Sequence, residues 1–356
     1  MLSQILSRSS RNLSEAILSV TAEMDNRGPA SMKASLQPLM DLVKKDLDQT
    51  NEIILDRMHS DVALIPTLAR HLIAAGGKRL RPVLTLGAAK LCGYHGDRAQ
   101  KLAACVEFIH TATLLHDDVV DESDLRRGNE TANVLWGNQA SVLVGDFLFS
   151  RSFQLMVEDG SLEVLRILST ASAVIAEGEV LQLMNVGDIN ISEESYLDVI
   201  TSKTAALFAA ACEVGAVVAE RPAAEAKALS GYGNNLGIAF QLIDDALDYS
   251  AEQKALGKTI GDDFREGKVT LPVLIAYKNG TAEEKQFWKR VIEDNQQDGD
   301  LEAALEIIQA HDALEGTFKL AREYGAAAKA DLDIFPDSPE KSALISAIDF
   351  AIERAF

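Results

Sequence analysis

Two acidic pentads stand out among the residues able to do chemistry. They are Asp117-Asp118-Val119-Val120-Asp121 and, 127 residues later, Asp244-Asp245-Ala246-Leu247-Asp248. In each the carboxylates fall at i, i+1 and i+4. At about 100° per residue they share roughly a 100° arc of one helix face. Like charges at that spacing repel, and crowded carboxylates raise one another's pKa unless a cation sits among them. The segments ahead of them, residues 106–116 and 236–243, are too apolar for surface helices. One pentad alone reads as a charged helix turn. Two, each ending a buried-looking helix, point to a site for divalent cations.

Basic residues answer the acidic ones. Gly76-Gly77-Lys78-Arg79-Leu80-Arg81-Pro82 places three cations between a glycine turn and a proline suited to a first helical position. Cations and free N–H groups at a helix start form an anion site, although the same residues also make an ordinary basic turn. Arg126-Arg127-Gly128 follows the first pentad by five residues, as structural ion pairs or as phosphate ligands. Lys203-Thr204 and Gln241 add donors, and Gln241 lies one helical turn before Asp244 on its face. Residues 257–268 carry three glycines and mixed charge, a loop suited to closing over a site.

The elements that must position these groups read as helix nearly throughout. Only 8 prolines occur, 47% of residues are hydrophobic, and runs such as residues 205–212 are strong helix formers. No linker, low-complexity tract or further repeat divides the chain. The expectation is an all-α, single large helical bundle, with residues 1–50 as an N-terminal helical extension and residues 51–356 as the catalytic domain. A net charge of −20 excludes general nucleic-acid binding. Cys92, Cys105 and Cys212 lack metal-site spacing and suit the core of a protein in a reducing compartment. No apolar run is long and clean enough to span a membrane, so membrane contact is at most peripheral. Arg8, Arg11 and several serines suggest a transit peptide, but Glu15, Glu23 and Asp25 oppose it. A bacterial cytoplasmic location is expected, with the mitochondrial matrix as the alternative.

The combination resembles the trans-isoprenyl diphosphate synthases of the polyprenyl synthetase family. GGKRLRP, LLHDDVVDESDLRRG, Lys203-Thr204, FQLIDDALDY and GKTIGDDFREGK occur in that family's order. Residues 109–121 and 140–153 look most like the long-chain quinone-side-chain synthases. The resemblance implies a helical fold with a central cavity between the two DDxxD helices. Its implied chemistry is Mg²⁺-dependent, head-to-tail addition of isopentenyl diphosphate to an allylic diphosphate such as farnesyl or geranyl diphosphate. It also implies three Mg²⁺ per site and a homodimer.

By the same matching, Asp117, Asp118, Asp121, Asp244, Asp245 and Asp248 are the metal-binding and catalytic carboxylates, with Lys203 and Thr204 beside them. Asp117, Asp121 and Asp244 are the expected direct ligands; Asp118, Asp245 and Asp248 orient waters in part. Lys78, Arg81, His110 and Arg127 match the isopentenyl diphosphate site. Arg126, Lys203, Thr204, Gln241, Lys258 and Lys268 match the allylic diphosphate site. A lone histidine in an apolar helix is ordinarily a satisfied core residue, yet His110 lies two turns below Asp117 on the acidic face. Ala112 and Thr113, just before the first pentad, are small where short-chain members are bulky. Thr113 lines the cavity by helix projection, Ala112 by resemblance. An open tunnel implies a product in the octaprenyl-to-decaprenyl range. A class I terpene cyclase is the rival enzyme, but it lacks the second DDxxD and the isopentenyl site. A non-catalytic subunit of a heteromeric synthase is the other alternative.

Overall fold

Alanine- and leucine-rich runs fold into helices as the composition requires. The computed structural model describes residues 34–74, 77–126, 128–250 and 260–354. Arg127, Lys258 and residues 1–33 therefore lie outside the described residues. The chain runs through α1 (Gln37–Arg57), α2 (Leu64–Ala74), α3 (Leu80–Leu91) and α4 (Arg98–Val120). A two-stranded ribbon, β1 (Leu125–Arg126) with β2 (Asn129–Glu130), leads to α5 (Ala132–Trp136), α6 (Asn138–Asp159), α7 (Leu162–Asn185) and α8 (Glu193–Ile200). A π-helical turn, Thr201–Ala205, joins α8 to α9 (Ala206–Val218), followed by α10 (Ala223–Asp248) and the short α11 (Asp262–Arg265). The remaining helices are α12 (Leu271–Asn279), α13 (Ala282–Lys289), α14 (Asp300–Ala310), α15 (Ala313–Asp331) and α16 (Pro339–Glu353).

The all-α expectation holds, with one small exception. The ribbon was not foreseen, because two residues per strand carry no periodicity to read. The boundary expected at residue 50 falls within α1. Helix α1 passes through it unbroken and buries Leu39, Val43, Leu47, Thr50 and Ile54 against the bundle. Within residues 34–50 the stripe of Leu36, Leu39, Val43, Leu47 and Thr50 is core, because α1 needs its apolar face covered.

Helices α4 and α10 carry the two pentads and are buried on nearly every side. Leu102, Ala103, Cys105, Val106, Phe108, Ile109, Ala112 and Leu115 are all inaccessible along α4. Along α10, Leu229, Tyr232 and Leu236 join one core, while Leu242, Ile243 and Ala246 join a second. Helix α10 thus threads both cores and ends at the acidic cluster. Helix α9 packs on α10 so closely that a Cβ at Gly233 would lie 2.3 Å from the Phe208 carbonyl, and one at Gly237 would lie 2.6 Å from Ala205 Cα. Only glycine permits that approach. Cys92, Cys105 and Cys212 are buried and unpaired, as read.

By length and composition two helical segments do qualify as membrane spans: Asn138–Asp159 and Glu193–Val218. The sequence expectation of none missed them. The second is two-thirds buried inside the bundle and is a core helix. The first leaves Val142, Leu143, Phe153 and Val157 exposed on one face.

Candidate active site

Both pentads end their helices. Asp121 caps α4 and Asp248 is the last residue of α10, so the carboxylates sit at the negative ends of two helix dipoles. Within each pentad the helix geometry sorts them. Asp118 turns inward, is 1% exposed, and accepts from Arg126 Nε at 2.7 Å and Nη2 at 2.6 Å. Asp245 is also buried: Tyr196 donates its hydroxyl to one oxygen at 2.6 Å and Gln241 its amide to the other at 2.7 Å. Asp117, Asp121 and Asp244 are more accessible. Asp121 pairs with Lys268 at 3.0 Å, and Asp244 with Arg354 at 2.8 Å. Asp248 accepts the backbone N–H groups of Asp262 and Asp263 at 3.2 and 3.0 Å, which anchors α11.

Lys268 joins the two halves of the site. It binds Asp121 of the first pentad and Glu266, and it also stabilises the charge of Asp263, which lies against Asp245 and Asp248 of the second. Lys203 stands on the π-helical turn, where the extra backbone residue redirects side chains out of register with the flanking helices. That turn packs against Gly178, at which a Cβ would lie 2.7 Å from Ser202 Cβ and 3.0 Å from Lys203 N. The contact brings Glu179 to Lys203 at 2.8 Å. Lys203 in turn favours the ionised form of Asp117.

Two of the expected isopentenyl diphosphate residues, Arg81 and His110, also meet. Helix α3 begins at Leu80, two residues before Pro82, so Arg81 lies in its first turn. Arg81 Nη1 meets His110 Nε2 at 3.1 Å and its guanidinium covers the Phe208 ring at 4.5 Å. Lys78 lies over Phe350 at 4.3 Å. His110 and Arg126 line a shared cavity with Asp118 and Glu107. Arg127 and Lys258 fall outside the described residues. Thr113 is partly exposed and returns its hydroxyl to the His110 carbonyl, whereas Ala112 is fully buried.

Reading the sequence missed several residues of the site. Glu107 pairs with Arg79, whose left-handed backbone (φ 48°) starts α3. Glu179, Tyr196, Asp263 and Arg354 were not anticipated either. The partners of Glu179, Tyr196 and Arg354 lie 24 to 110 positions away, and no local pattern marks these three.

Burial dominates the electrostatics. It pushes the Asp117 carboxyl up to about 7, with Glu179 and Asp121 adding to the rise and Lys203 opposing it. It takes Asp245 up to about 6, although Tyr196 and Gln241 favour the ionised form. Burial alone would lower the Lys268 pKa, but Asp121 and Glu266 outweigh it and raise it well above the ordinary lysine value.

Paired acidic helices with cations between them match a known pattern: the polyprenyl synthetase family pattern fits residues 62–308. The chain belongs to that family. Octaprenyl diphosphate synthase of Escherichia coli is 49% identical over 320 residues, covering 90% of this chain and 99% of that one. Decaprenyl diphosphate synthase from Rhodobacter capsulatus superposes with a TM-score of 0.88 at 51% identity, over 90% of this chain and all of its own. Polyprenyl synthase from Caulobacter crescentus, solved with calcium and isoprenyl diphosphate, gives 0.87 at 54% identity, over 92% and 100%.

Polyprenyl synthetases are in general magnesium-dependent enzymes. Among the described residues no three His, Cys, Asp or Glu side chains converge into a closed metal site. Magnesium keeps waters and takes one or two carboxylates together with substrate phosphates. The accessible oxygens of Asp117, Asp121 and Asp244 are donors of the right hardness, and Asp244 is 46% exposed.

A pH dependence follows. In the unfolded chain these aspartates ionise near the ordinary value of about 4. Their raised folded values mean that their contribution to stability is fully present below about pH 4 and is lost as pH rises through about 6 and 7. The metal-free protein should therefore melt at a lower temperature at about pH 8 than at about pH 5. Mg²⁺ with pyrophosphate should raise the midpoint more at the higher pH, because ligand carboxylates must be ionised. A larger gain at the acidic end would contradict this electrostatic account.

Proposed function

We infer that this chain is a long-chain trans-polyprenyl diphosphate synthase. The observation that carries the reading is the cleft in which Lys268 ties Asp121 to the loop beside Asp245 and Asp248, with Lys203 and Thr204 on the π-helical turn next to it. Two accessible carboxylate faces and intervening lysines suit a metal-bound diphosphate. Arg81 on α3 and His110 on α4, with Lys78 just ahead of α3, suit a second anion site. A cyclase has no use for that second site. A non-catalytic subunit has no need of two intact pentads.

Asp117, Asp121 and Asp244 hold Mg²⁺, three ions per site with substrate bound. The metal supplies charge stabilisation to the departing diphosphate. Lys203, Lys268 and Arg126 receive the allylic diphosphate, together with Lys258 and Gln241; Arg126 does so while keeping Asp118 turned inward. Isopentenyl diphosphate sits against Lys78, Arg81, His110 and Arg127, with its alkene towards the allylic carbon. The allylic C–O bond breaks, the alkene attacks the cation, and a proton is lost. No acid–base dyad is required, because the released diphosphate accepts that proton.

Incubation with Mg²⁺, farnesyl diphosphate and labelled isopentenyl diphosphate should yield a polyprenyl product without a partner protein. Asp117→Asn and Asp244→Asn should each lower kcat by at least about a thousandfold with the helical content unchanged. A hydrocarbon product would indicate the cyclase, turnover only with an added partner the subunit.

Chain length is set where the tunnel begins. Ala112 is fully enclosed on α4, facing the interior one turn and a half below Asp117. A larger side chain there obstructs the growing prenyl tail. Ala112→Phe should shift the product to shorter chains on reversed-phase chromatography, and an unchanged length distribution would remove Ala112 from the tunnel.

The enzyme acts as a homodimer in this reading. Leu143, Phe153 and Val157 of α6 and Val180, Leu183 and Met184 of α7 are exposed large apolar residues. Large apolar side chains exposed on two successive helices suit a face covered by a second copy. Leu143→Lys combined with Leu183→Lys should halve the mass measured by light scattering; a dimer persisting at low micromolar concentration would place the interface elsewhere.

A further inference from the structure

Four side chains in the cavity beside the second pentad form an unbroken hydrogen-bond chain. The cavity holds about 140 Å³ and is lined by Tyr196, Lys203, Thr204, Gln241 and Asp245, among others. Tyr196 donates its hydroxyl to Asp245 Oδ2 at 2.6 Å, and Gln241 donates Nε2 to Asp245 Oδ1 at 2.7 Å. Thr204 donates its hydroxyl to Gln241 Oε1 at 2.8 Å. Tyr196 is 3% exposed on α8 and belongs to none of the motifs.

Chemistry fixes the direction of this chain. An ionised carboxylate only accepts hydrogen bonds. Gln241 must therefore turn its nitrogen towards Asp245, which leaves its carbonyl facing Thr204. An amide group can otherwise adopt either orientation, and its network decides which. The Thr204 hydrogen is consumed by that carbonyl, so the Thr204 oxygen offers the cavity lone pairs alone. Tyr196 closes the far end: burial and the adjacent Asp245 keep its phenol protonated, as a donor. Without that donor, Asp245 Oδ2 is buried without a partner and the carboxylate has reason to rotate.

We propose that Tyr196 is a positioning residue which, through Asp245 and Gln241, holds the Thr204 oxygen with its lone pairs towards the developing allylic cation. The proposal rests on the synthase reading. When the allylic C–O bond breaks, its electron pair leaves with the diphosphate and the carbon becomes positive. The Thr204 oxygen meets that carbon as an oriented dipole and forms no bond. Such preorganised dipoles act on the transition state more than on the bound substrate.

Two probes separate this role from a purely structural one. Farnesyl thiolodiphosphate carries the diphosphate and a neutral chain. An ammonium analogue, added with pyrophosphate, places positive charge where the cation forms. With Mg²⁺ present, Tyr196→Phe should bind the thiolodiphosphate within about twofold of the wild type and the ammonium analogue roughly tenfold more weakly, the loss of one charge-directed contact. Its kcat should fall by a similar factor with KM for isopentenyl diphosphate unchanged. Tyr232→Phe is the control: Tyr232 is equally buried, stands about three turns before Asp244 on α10, and donates to the Leu344 carbonyl at 2.9 Å in the other core. It should lower the melting temperature and bind both probes as the wild type does. If Tyr196→Phe binds both probes normally, or loses both equally, Tyr196 does not orient Thr204. A wild-type protein that binds neither probe overturns the synthase reading and this inference with it.

Discussion

Repulsion among carboxylates at the ends of two buried helices is the constraint around which the molecule is arranged. Asp121 and Asp248 close α4 and α10, where the unsatisfied carbonyls already concentrate negative potential. Acidic residues belong at the opposite end of a helix. Placing three at each C-terminal end works against local stability, and burial of Asp117 and Asp245 adds to the penalty. Lys268, Lys203, Arg126 and Arg354 offset part of it by pairing with carboxylates of the pentads or their neighbour Glu179. Such a local violation of good helix design is stored electrostatic tension that an arriving cation relieves.

The rest of the fold makes the tension tolerable. Helices α4 and α10 are anchored along their full length by apolar burial, each fully buried aliphatic side chain contributing roughly 1.5–3 kcal/mol before entropy is counted. Gly233 and Gly237 let α9 lie directly on α10, so the π-helical turn that carries Lys203 and Thr204 is fixed relative to the second pentad. Gly178 does the same for Glu179. Backbone contact of this kind cannot slide without a clash, which suits a site whose charges must stay apart by design.

What could be read from the sequence follows the range of the signal. The pentads, the GGKRLRP turn and Gln241 announce themselves because their spacing is short and helical. Family resemblance then extends the reading to Lys203 and Thr204, which have no local signature. Tyr196, Glu179 and Arg354 escaped because each matters only through a partner on another element: Tyr196 through Asp245, Glu179 through Lys203, Arg354 through Asp244. The course of α1 through residue 50 was not legible for a related reason. Helix α1 has ordinary amphipathic spacing, and nothing local tells an appended helix from one whose stripe is covered by α3, α4 and α16.

The pairings around the pentads also bear on how such a site is loaded. Arg354 extends from the end of α16, lies over the Phe240 ring at 3.8 Å and donates to the Phe240 carbonyl at 2.7 Å as well as contacting Asp244. Phe240 stacks near Phe208, whose ring is covered by Arg81. The two expected substrate sites therefore share an aromatic floor with a guanidinium at each end. In the metal-free protein Asp244 has Arg354 as counter-ion, so a divalent cation at Asp244 must compete with a pairing already made. The exchange would add one positive charge at Asp244, a divalent cation in place of a guanidinium, and would free the guanidinium for an anion. A site built on exchanged partners avoids exposing bare charge at any stage, which is the condition that six crowded carboxylates impose.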